Sequence, residues 1–444
     1  MSGTESTATH ASTSPAGPGQ PRDPAAGAGP ATVAACGQAA AAAAASLAAA
    51  PAETIDTALR GMAELLGDRA GPVLAANAED VAAGEAAGLG QGLLDRLRLG
   101  EARIAEMARQ ISLLAGAPFP AAETPLGELS GGQTLAERRV PVGVIGANYE
   151  ARPNVTVDVA SQLLKSRNAG VLRTGTAALR SAAALVDHVI APALTGAGLD
   201  SRAIQLVRSA GRQAAQELVS QPGLIPLVIL RGSGESTRLL AAEAARHGVR
   251  TLAHADGGGV LYLDQAADPA LSRELITASL DRLGVCNRLN LLLICTAAWD
   301  ELLPLATAAL AARGVTPSLP PHEHPLGYEW ALSGGQEATA TIAPAAGPAE
   351  AAGIANTATS GLAAAIVTAD PQAAEKFLAA YRGTGAFWNT STRLLDGFKL
   401  RGVPETGINV DHVPGPRGPV TFSDLCLRQY VVRPAPAAAG GARP

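Results

Sequence analysis

Apolar positions recur at helical spacing through residues 32–114: Leu59, Met62, Ala63 and Leu66, then Leu94 and Leu97, then Ile104, Met107, Ile111 and Leu114. Steps of three and four place them on one helix face, and no strand-like run interrupts them. After Arg139 the pattern changes. A β-branched run at 140–145 reads as a strand, followed by a loop holding Gly146, Pro153 and Asn154 and by a helix over 155–165. Further strands are expected at 169–173, 204–207, 225–230 and 249–252, with helices between them. This alternation predicts a parallel, doubly wound sheet of βαβ units. A second series follows at 260–263, 291–294, 366–368 and 386–388. Asp268 and Pro269 open a helix there, Leu271, Leu275, Ile276 and Leu283 form its core side, and Gly284 ends it. The chain therefore reads as two α/β domains with a seam near residue 255.

Residues 1–31 contain no Val, Ile, Leu, Phe, Tyr or Trp. Such a segment buries too little to offset its ordering entropy, so 1–31 is expected to be a disordered tail, as is 434–444. Across 444 residues, 47% apolar and 16% charged composition excludes a wholly disordered chain. Aromatics are only 3%, so the core must be built from Ala, Leu, Val and Ile. A net charge of −5 argues against a nucleic-acid partner. The longest bland run, 39–50, is shorter than the ~20 residues a spanning helix needs. Neither a membrane segment nor a signal peptide is expected. Cys36, Cys286, Cys295 and Cys426 form no CxxC pair, which speaks against a disulfide scaffold or zinc ribbon and for free thiols in a reducing cytoplasm.

Cys286 stands where a helix stops and a buried strand starts, the kind of turn where α/β proteins place reactive groups. Arg282 and Arg288 flank it in sequence, and nearby cations lower a thiol pKa. The alternative is a buried structural cysteine. Cys36, Cys295 and Cys426 read as structural. Arg231-Gly-Ser-Gly-Glu235 joins a strand to a helix, whose backbone N–H groups can hold phosphate. His254-Ala-Asp-Gly-Gly-Gly259 reads as a flexible loop. Asn154 is either an ordinary helix cap or a functional amide.

Glu150-Ala-Arg-Pro-Asn-Val-Thr-Val-Asp-Val-Ala160 resembles the gamma-glutamyl phosphate reductase family, within the aldehyde dehydrogenase superfamily. Matching stretches run in order from about residue 50 to 431: Ala76–Val81, Leu94-Asp-Arg-Leu97, Arg138–Ile145, Gly284-Val-Cys-Asn287, Asn389-Thr-Ser-Thr-Arg393 and Arg417-Gly-Pro419. The resemblance implies an aldehyde dehydrogenase-like α/β fold: a Rossmann-type NADP-binding domain at 32–254, a catalytic domain at 255–395, and a return through 396–433. An oligomerisation arm would include about 127–141. It implies Cys286 as nucleophile on an acyl phosphate, a thioester, and hydride from NADPH to release an aldehyde. Asn154 and the Cys286 N–H would form the oxyanion hole. Arg173 would lie beside the adenosine ribose, Gly232 and Ser233 at the pyrophosphate, and Glu329 at the nicotinamide ribose. Thr176 falls where NAD-preferring relatives carry a carboxylate, which favours NADP(H). His254 falls near the superfamily's hydrolytic Glu, which a reductase releasing an aldehyde does not need. The implied partners are a small acyl phosphate or aldehyde, a second copy of the chain, and a glutamate 5-kinase as supplier.

The chain also departs from the family. Before the nucleophile the usual Asn-Ala-Lys-x-Gln-Arg-Pro is Thr277-Ala-Ser-Leu-Asp-Arg-Leu283, keeping only Ala278 and Arg282. Asn290 replaces a Glu, Thr174-Gly175 replaces Gly-Gly, 361–367 replaces a His-Ser/Thr segment, and Pro414-Gly-Pro416 replaces Leu-His-Ala. The leading expectation is NADPH-dependent reduction of L-glutamyl 5-phosphate in proline biosynthesis. The alternatives are a paralogue acting on another acyl phosphate or aldehyde, and a non-catalytic relative.

Overall fold

The computed structural model describes residues 32–232, 234–254, 257–410 and 417–434. Both predicted tails lie outside these residues, Pro434 apart, as do Ser233 and Pro414-Gly-Pro416. The opening stretch forms helices Val33–Ala49, Ala52–Asp68, Ala70–Ala86, Gln91–Leu97 and Glu101–Gly116. The Thr32 hydroxyl caps the first by accepting from the Ala35 N–H at 3.2 Å. Leu59, Met62, Leu66, Ile104, Met107, Ile111 and Leu114 are buried, as their spacing requires.

The strands in chain order are β1 (Glu123–Glu128), β2 (Thr134–Pro141), β3 (Val144–Tyr149), β4 (Ala169–Thr174), β5 (Ile204–Leu206), β6 (Leu227–Arg231), β7 (Arg250–His254) and β8 (Gly259–Leu263). They continue with β9 (Leu289–Cys295), β10 (Thr316–Ser318), β11 (Thr339–Ala345), β12 (Ala363–Val367), β13 (Gly385–Trp388), β14 (Gly407–Asn409), β15 (Gly418–Val420) and β16 (Cys426–Arg433). The first large sheet is parallel with order β5-β4-β3-β6-β7. Its order reverses at β3, which creates a crevice at the strand C-termini. The second is parallel with order β10-β11-β9-β8-β12-β13. The chain passes from one sheet to the other between His254 and Gly259. The expected alternation of strands and helices is the observed one.

Several boundaries differ from the sequence reading. The run at 140–145 is divided: Pro141 ends β2, Gly143 takes φ 115°, and β3 begins at Val144. β2 belongs instead to an antiparallel arm, pairing with β1 and, from Cys426↔Pro141 to Arg433↔Thr134, with β16. The helix after Asp268 stops at Ala278, short of Leu283. Ser279 is taken by tertiary bonds there: its carbonyl accepts from Leu289 N–H and its hydroxyl meets Ser391 Oγ at 2.8 Å. β11 is second from the sheet edge and was not anticipated, since Thr-Ala-Thr-Ile-Ala-Pro-Ala has weak strand propensity. One helical run, 176–196, is long and apolar enough to cross a membrane. It packs into the first sheet's core, where Ala182, Leu185, Val189, Ile190 and Leu194 are fully buried.

Candidate active site

The helix Asn154–Lys165 follows β3 and starts at the sheet's crevice. Pro153 precedes it with helical φ −57°, as its ring prefers. Asn154 is therefore the first helical residue rather than a cap, and its side chain is left for other work. Its Nδ2 donates to Asp158 Oδ2 at 2.9 Å, one turn along the same helix. Sequence reasoning did not single out Asp158, although the i, i+4 spacing was there to read.

Cys286 lies in the turn 284–288 before β9. The Gly258 N–H donates to the Cys286 carbonyl and the Gly259 N–H to the Arg288 carbonyl, both at 2.6 Å. A Cβ at Gly257 would stand 2.6 Å from the Cys286 carbonyl oxygen, and one at Gly259 would stand 2.7 Å from that of Arg288. These glycines are thus a docking surface for the nucleophile turn; Ala255 and Asp256 of the same loop lie outside the described residues. On the other side Thr392 Oγ1 donates to the Asn287 carbonyl and Asn287 Nδ2 to the Leu395 carbonyl, each at 2.9 Å.

Two cavities meet at this turn. One, about 410 Å³, is lined by Glu150, Arg231, Gly232, His254, Glu329 and Cys286. The other, about 340 Å³, is lined by Asn154, Asp158, Arg393, Glu405 and Cys286. The structure therefore brings Cys286 and Asn154 to one cavity, and Cys286, Gly232 and Glu329 to the other. Arg173 is placed elsewhere. It is buried at the end of β4, and its guanidinium donates to Asn148 Oδ1 at 2.9 Å, to the Gly211 carbonyl at 3.1 Å and to the Ala210 carbonyl. A side chain spent on carbonyls is a brace for the loop after β5, and Arg173 lines neither cavity.

The electrostatics also revise the sequence reading. Arg288 donates to the Glu337 and Thr339 carbonyls at 2.5 and 2.9 Å, and Arg282 leans toward Asp95 at 3.6 Å. Neither sequence neighbour activates the thiol. Burial pushes the Cys286 thiol up, Arg152 and Arg231 pull it down, Glu329 and Glu405 push it up, and the net direction is upward. Burial also raises Asp158 to about 6 and Glu405 to about 7, against the pull of Arg231 on both. His254 is held neutral by burial beside Arg231 and Arg152. Its Nδ1 accepts from the Ile408 N–H at 3.1 Å, so the tautomer carries its proton on Nε2.

The departures before the nucleophile have partners. Ser279 is buried against Ser391. Asp281 pairs with Arg393, whose Nε donates to Oδ1 at 2.6 Å while its Nη1 reaches Asn287 Oδ1. Asp281 thus neutralises a cation on the wall of the Asn154 cavity.

The family uses a nicotinamide cofactor, and the wall of the 410 Å³ cavity has one feature that suits its phosphates. Gly232 ends β6 in front of the helix Gly234–His247, and a Cβ there would lie 3.0–3.2 Å from the Glu150 carboxyl. Only glycine leaves that approach open, and the helix N-terminus beyond it favours an anion.

The aldehyde dehydrogenase family model matches residues 4–323. Gamma-glutamyl phosphate reductase of Clavibacter michiganensis subsp. michiganensis is 38% identical over 390 residues, covering 85% of this chain and 88% of that one. The enzyme of the same name from Roseiflexus castenholzii is 36% identical over 413 residues, covering 86% and 93%. The crystal structure of Gamma-glutamyl phosphate reductase from Thermotoga maritima superposes with a TM-score of 0.81 at 27% identity, over 90% of this chain and 97% of that one. The chain belongs to the aldehyde dehydrogenase family, and within it to the gamma-glutamyl phosphate reductase branch.

Proposed function

We propose that the protein reduces L-glutamyl 5-phosphate to L-glutamate 5-semialdehyde with NADPH, releasing phosphate, as a step of proline biosynthesis. The observation that carries this is Cys286 at the junction of the two cavities, with the Asn154 amide in one and Gly232 and Glu329 in the other. The Cys286 thiolate attacks the acyl carbon, and a thioester forms as phosphate leaves. The Asn154 amide, turned by Asp158, and the Cys286 N–H meet the oxygen that becomes negative. The dinucleotide supplies the hydride when bound. Gly232 and Ser233 would take its pyrophosphate and Glu329 its nicotinamide ribose. Thr176, opening the turn 176–178, places no carboxylate at the adenosine ribose, which favours NADP(H) over NAD(H). Arg173, spent on Asn148 and on the carbonyls of Ala210 and Gly211, leaves that preference to Thr176. His254, neutral with Nδ1 occupied, is not poised to activate water, which suits a reductase that releases an aldehyde.

Leu427, Tyr430 and Val432 are exposed on β16 of the arm, as a homo-oligomer contact requires. The four free cysteines suit the cytoplasm. A glutamate 5-kinase would supply the substrate. The test is phosphate-dependent reduction of NADP+ by glutamate semialdehyde, the reverse reaction. Turnover in the wild type that disappears in Cys286→Ala is expected; full activity in Cys286→Ala defeats the mechanism. One observation favours a second reading. Because Asp281 occupies Arg393, the acyl cavity holds one free cation fewer, which suits a less anionic acyl phosphate or aldehyde.

A further inference from the structure

Among the described residues, Cys286, Arg96 and Arg152 are the ones that line both cavities. The sequence reading gave neither arginine a role, although both sit in stretches that carry the family resemblance. Arg96 comes from the last turn of the helix Gln91–Leu97, far from Cys286 in sequence. It packs against the nucleophile turn, where a Cβ at Gly284 would lie 4.0 Å from Arg96 Nε. That Nε is buried and has no hydrogen-bond partner among the described residues. The Arg152 carbonyl accepts from the Val155 N–H at 3.1 Å, but its guanidinium makes no hydrogen bond or ion pair with a described residue. Between Glu150 and Arg152, Ala151 takes φ 42°, a left-handed conformation that is unfavourable for a non-glycine residue. Backbone strain of this kind gathers at ligand sites.

The charges around the pair ask for an anion. Burial disfavours the charged form of Arg96, with Glu329, Asp95 and the Cys286 thiol acting in its favour and Arg282 against it. Burial disfavours that of Arg152 too, and Arg231, Arg96 and Arg282 add to the penalty, with Cys286 opposing. Arg231 lines the Gly232 cavity but not the Asn154 cavity. Arg393 is held by Asp281, and Arg103 by Asp95 and by the carbonyls of Asp95 and Arg98.

We propose that Arg96 and Arg152 form the phosphate site of the reaction, gripping the acyl phosphate beside Cys286 and holding inorganic phosphate as it leaves. This rests on the acyl-phosphate reading above. The phosphate is bonded directly to the carbon that Cys286 attacks, so the residues sharing the Cys286 junction are those that meet it. The substrate's α-carboxylate is at the other end of its carbon chain, away from the carbon that Cys286 attacks. In the forward step the S–C bond forms, the C–O bond to phosphate breaks, and the bonding pair leaves on the phosphate oxygen, which takes up a proton equivalent to the one the Cys286 thiol gave up, so that phosphate departs as the dianion. Two guanidinium forks match a departing phosphate dianion in charge and geometry. In the reverse step they hold phosphate in place to attack the thioester.

The test separates the two half-reactions in the full-length protein. Mixing enzyme, NADP+ and glutamate semialdehyde without phosphate should give a burst of NADPH as the thioester forms. Adding phosphate should then permit turnover. Arg96→Gln is expected to raise the KM for phosphate by about tenfold or more, the loss of one charge-assisted contact, with the KM for the aldehyde little changed. Arg96→Lys should fall between, keeping the charge without the fork. A rise in the aldehyde KM with an unchanged phosphate KM would overturn the assignment, since the pair would then hold the substrate's carboxylate. A second measurement needs no acyl substrate. Inorganic phosphate should slow alkylation of Cys286 by iodoacetamide in the wild type and lose that effect in Arg96→Gln. Equal protection in both proteins also overturns the proposal. A wild type with no burst but phosphate protection that depends on Arg96 would instead count against glutamate semialdehyde as substrate.

Discussion

Replacing Asp158 with Asn should make the protein more stable at neutral pH and slower in catalysis. Asp158 lines the Asn154 cavity, and burial raises its carboxyl from the ordinary 3.8 to about 6. A raised folded-state value means that the native protein holds this proton more tightly than the unfolded chain. The associated stability is fully present below about pH 4 and is lost as pH rises through about 6. Ionising Asp158 at pH 7.5 therefore costs the fold roughly 3 kcal/mol, from about two units at ~1.4 kcal/mol each. Asn resembles the protonated carboxyl and avoids that cost. Denaturant unfolding should show Asp158→Asn gaining up to about 3 kcal/mol at pH 7.5 and little at pH 4. Comparing the two proteins at each pH cancels the titration of Glu405 and the other shared groups. Turnover should fall by about tenfold, because a carboxylate acceptor holds the Asn154 amide about twice as strongly as a neutral one. Equal or lower stability of Asp158→Asn at pH 7.5, relative to pH 4, would refute the argument, because ionised Asp158 would then not be strained. Unchanged turnover would refute the positioning role of the Asn154–Asp158 contact.

Cys286→Ala should abolish turnover while cofactor binding, followed by quenching of protein fluorescence, persists. Asn154→Ala should slow turnover by ~10²–10³, the range for losing one oxyanion donor. The thiol of Cys286 is pushed above its ordinary 9.0, so its alkylation rate in the unliganded protein should still be climbing past pH 9; a plateau below pH 8 would show that Arg152 and Arg231 outweigh burial. Asp281→Gln should release Arg393 toward the acyl cavity and lower the KM for the anionic aldehyde by ~10-fold or more, the scale of one charged hydrogen bond; an unchanged KM would place that pair outside substrate recognition.

Much of this protein was legible in the one-dimensional pattern. The helical face over 59–114 and the alternation of strands with helices are set by side-chain periodicity, which is a local property. The resemblance singled out Cys286, Asn154, Gly232 and Glu329, and the fold places each of them on a cavity wall. Other features depend on partners remote in sequence. β16 is a strand because β2 offers it an edge, pairing Cys426 with Pro141. The helix after Asp268 ends early because Ser279 finds Leu289 and Ser391. Arg173 carries the expected charge at the expected strand end, yet the carbonyls of Ala210 and Gly211 consume it. Arg282 and Arg288 adjoin Cys286 in the chain, but Arg152 and Arg231, which follow β3 and end β6 of the first sheet, are the cations that act on its thiol. A charge acts through distance and desolvation, and neither is written in sequence spacing. The sequence by itself determined which residue types are available for the chemistry; folding decided which of them remain uncommitted beside the nucleophile.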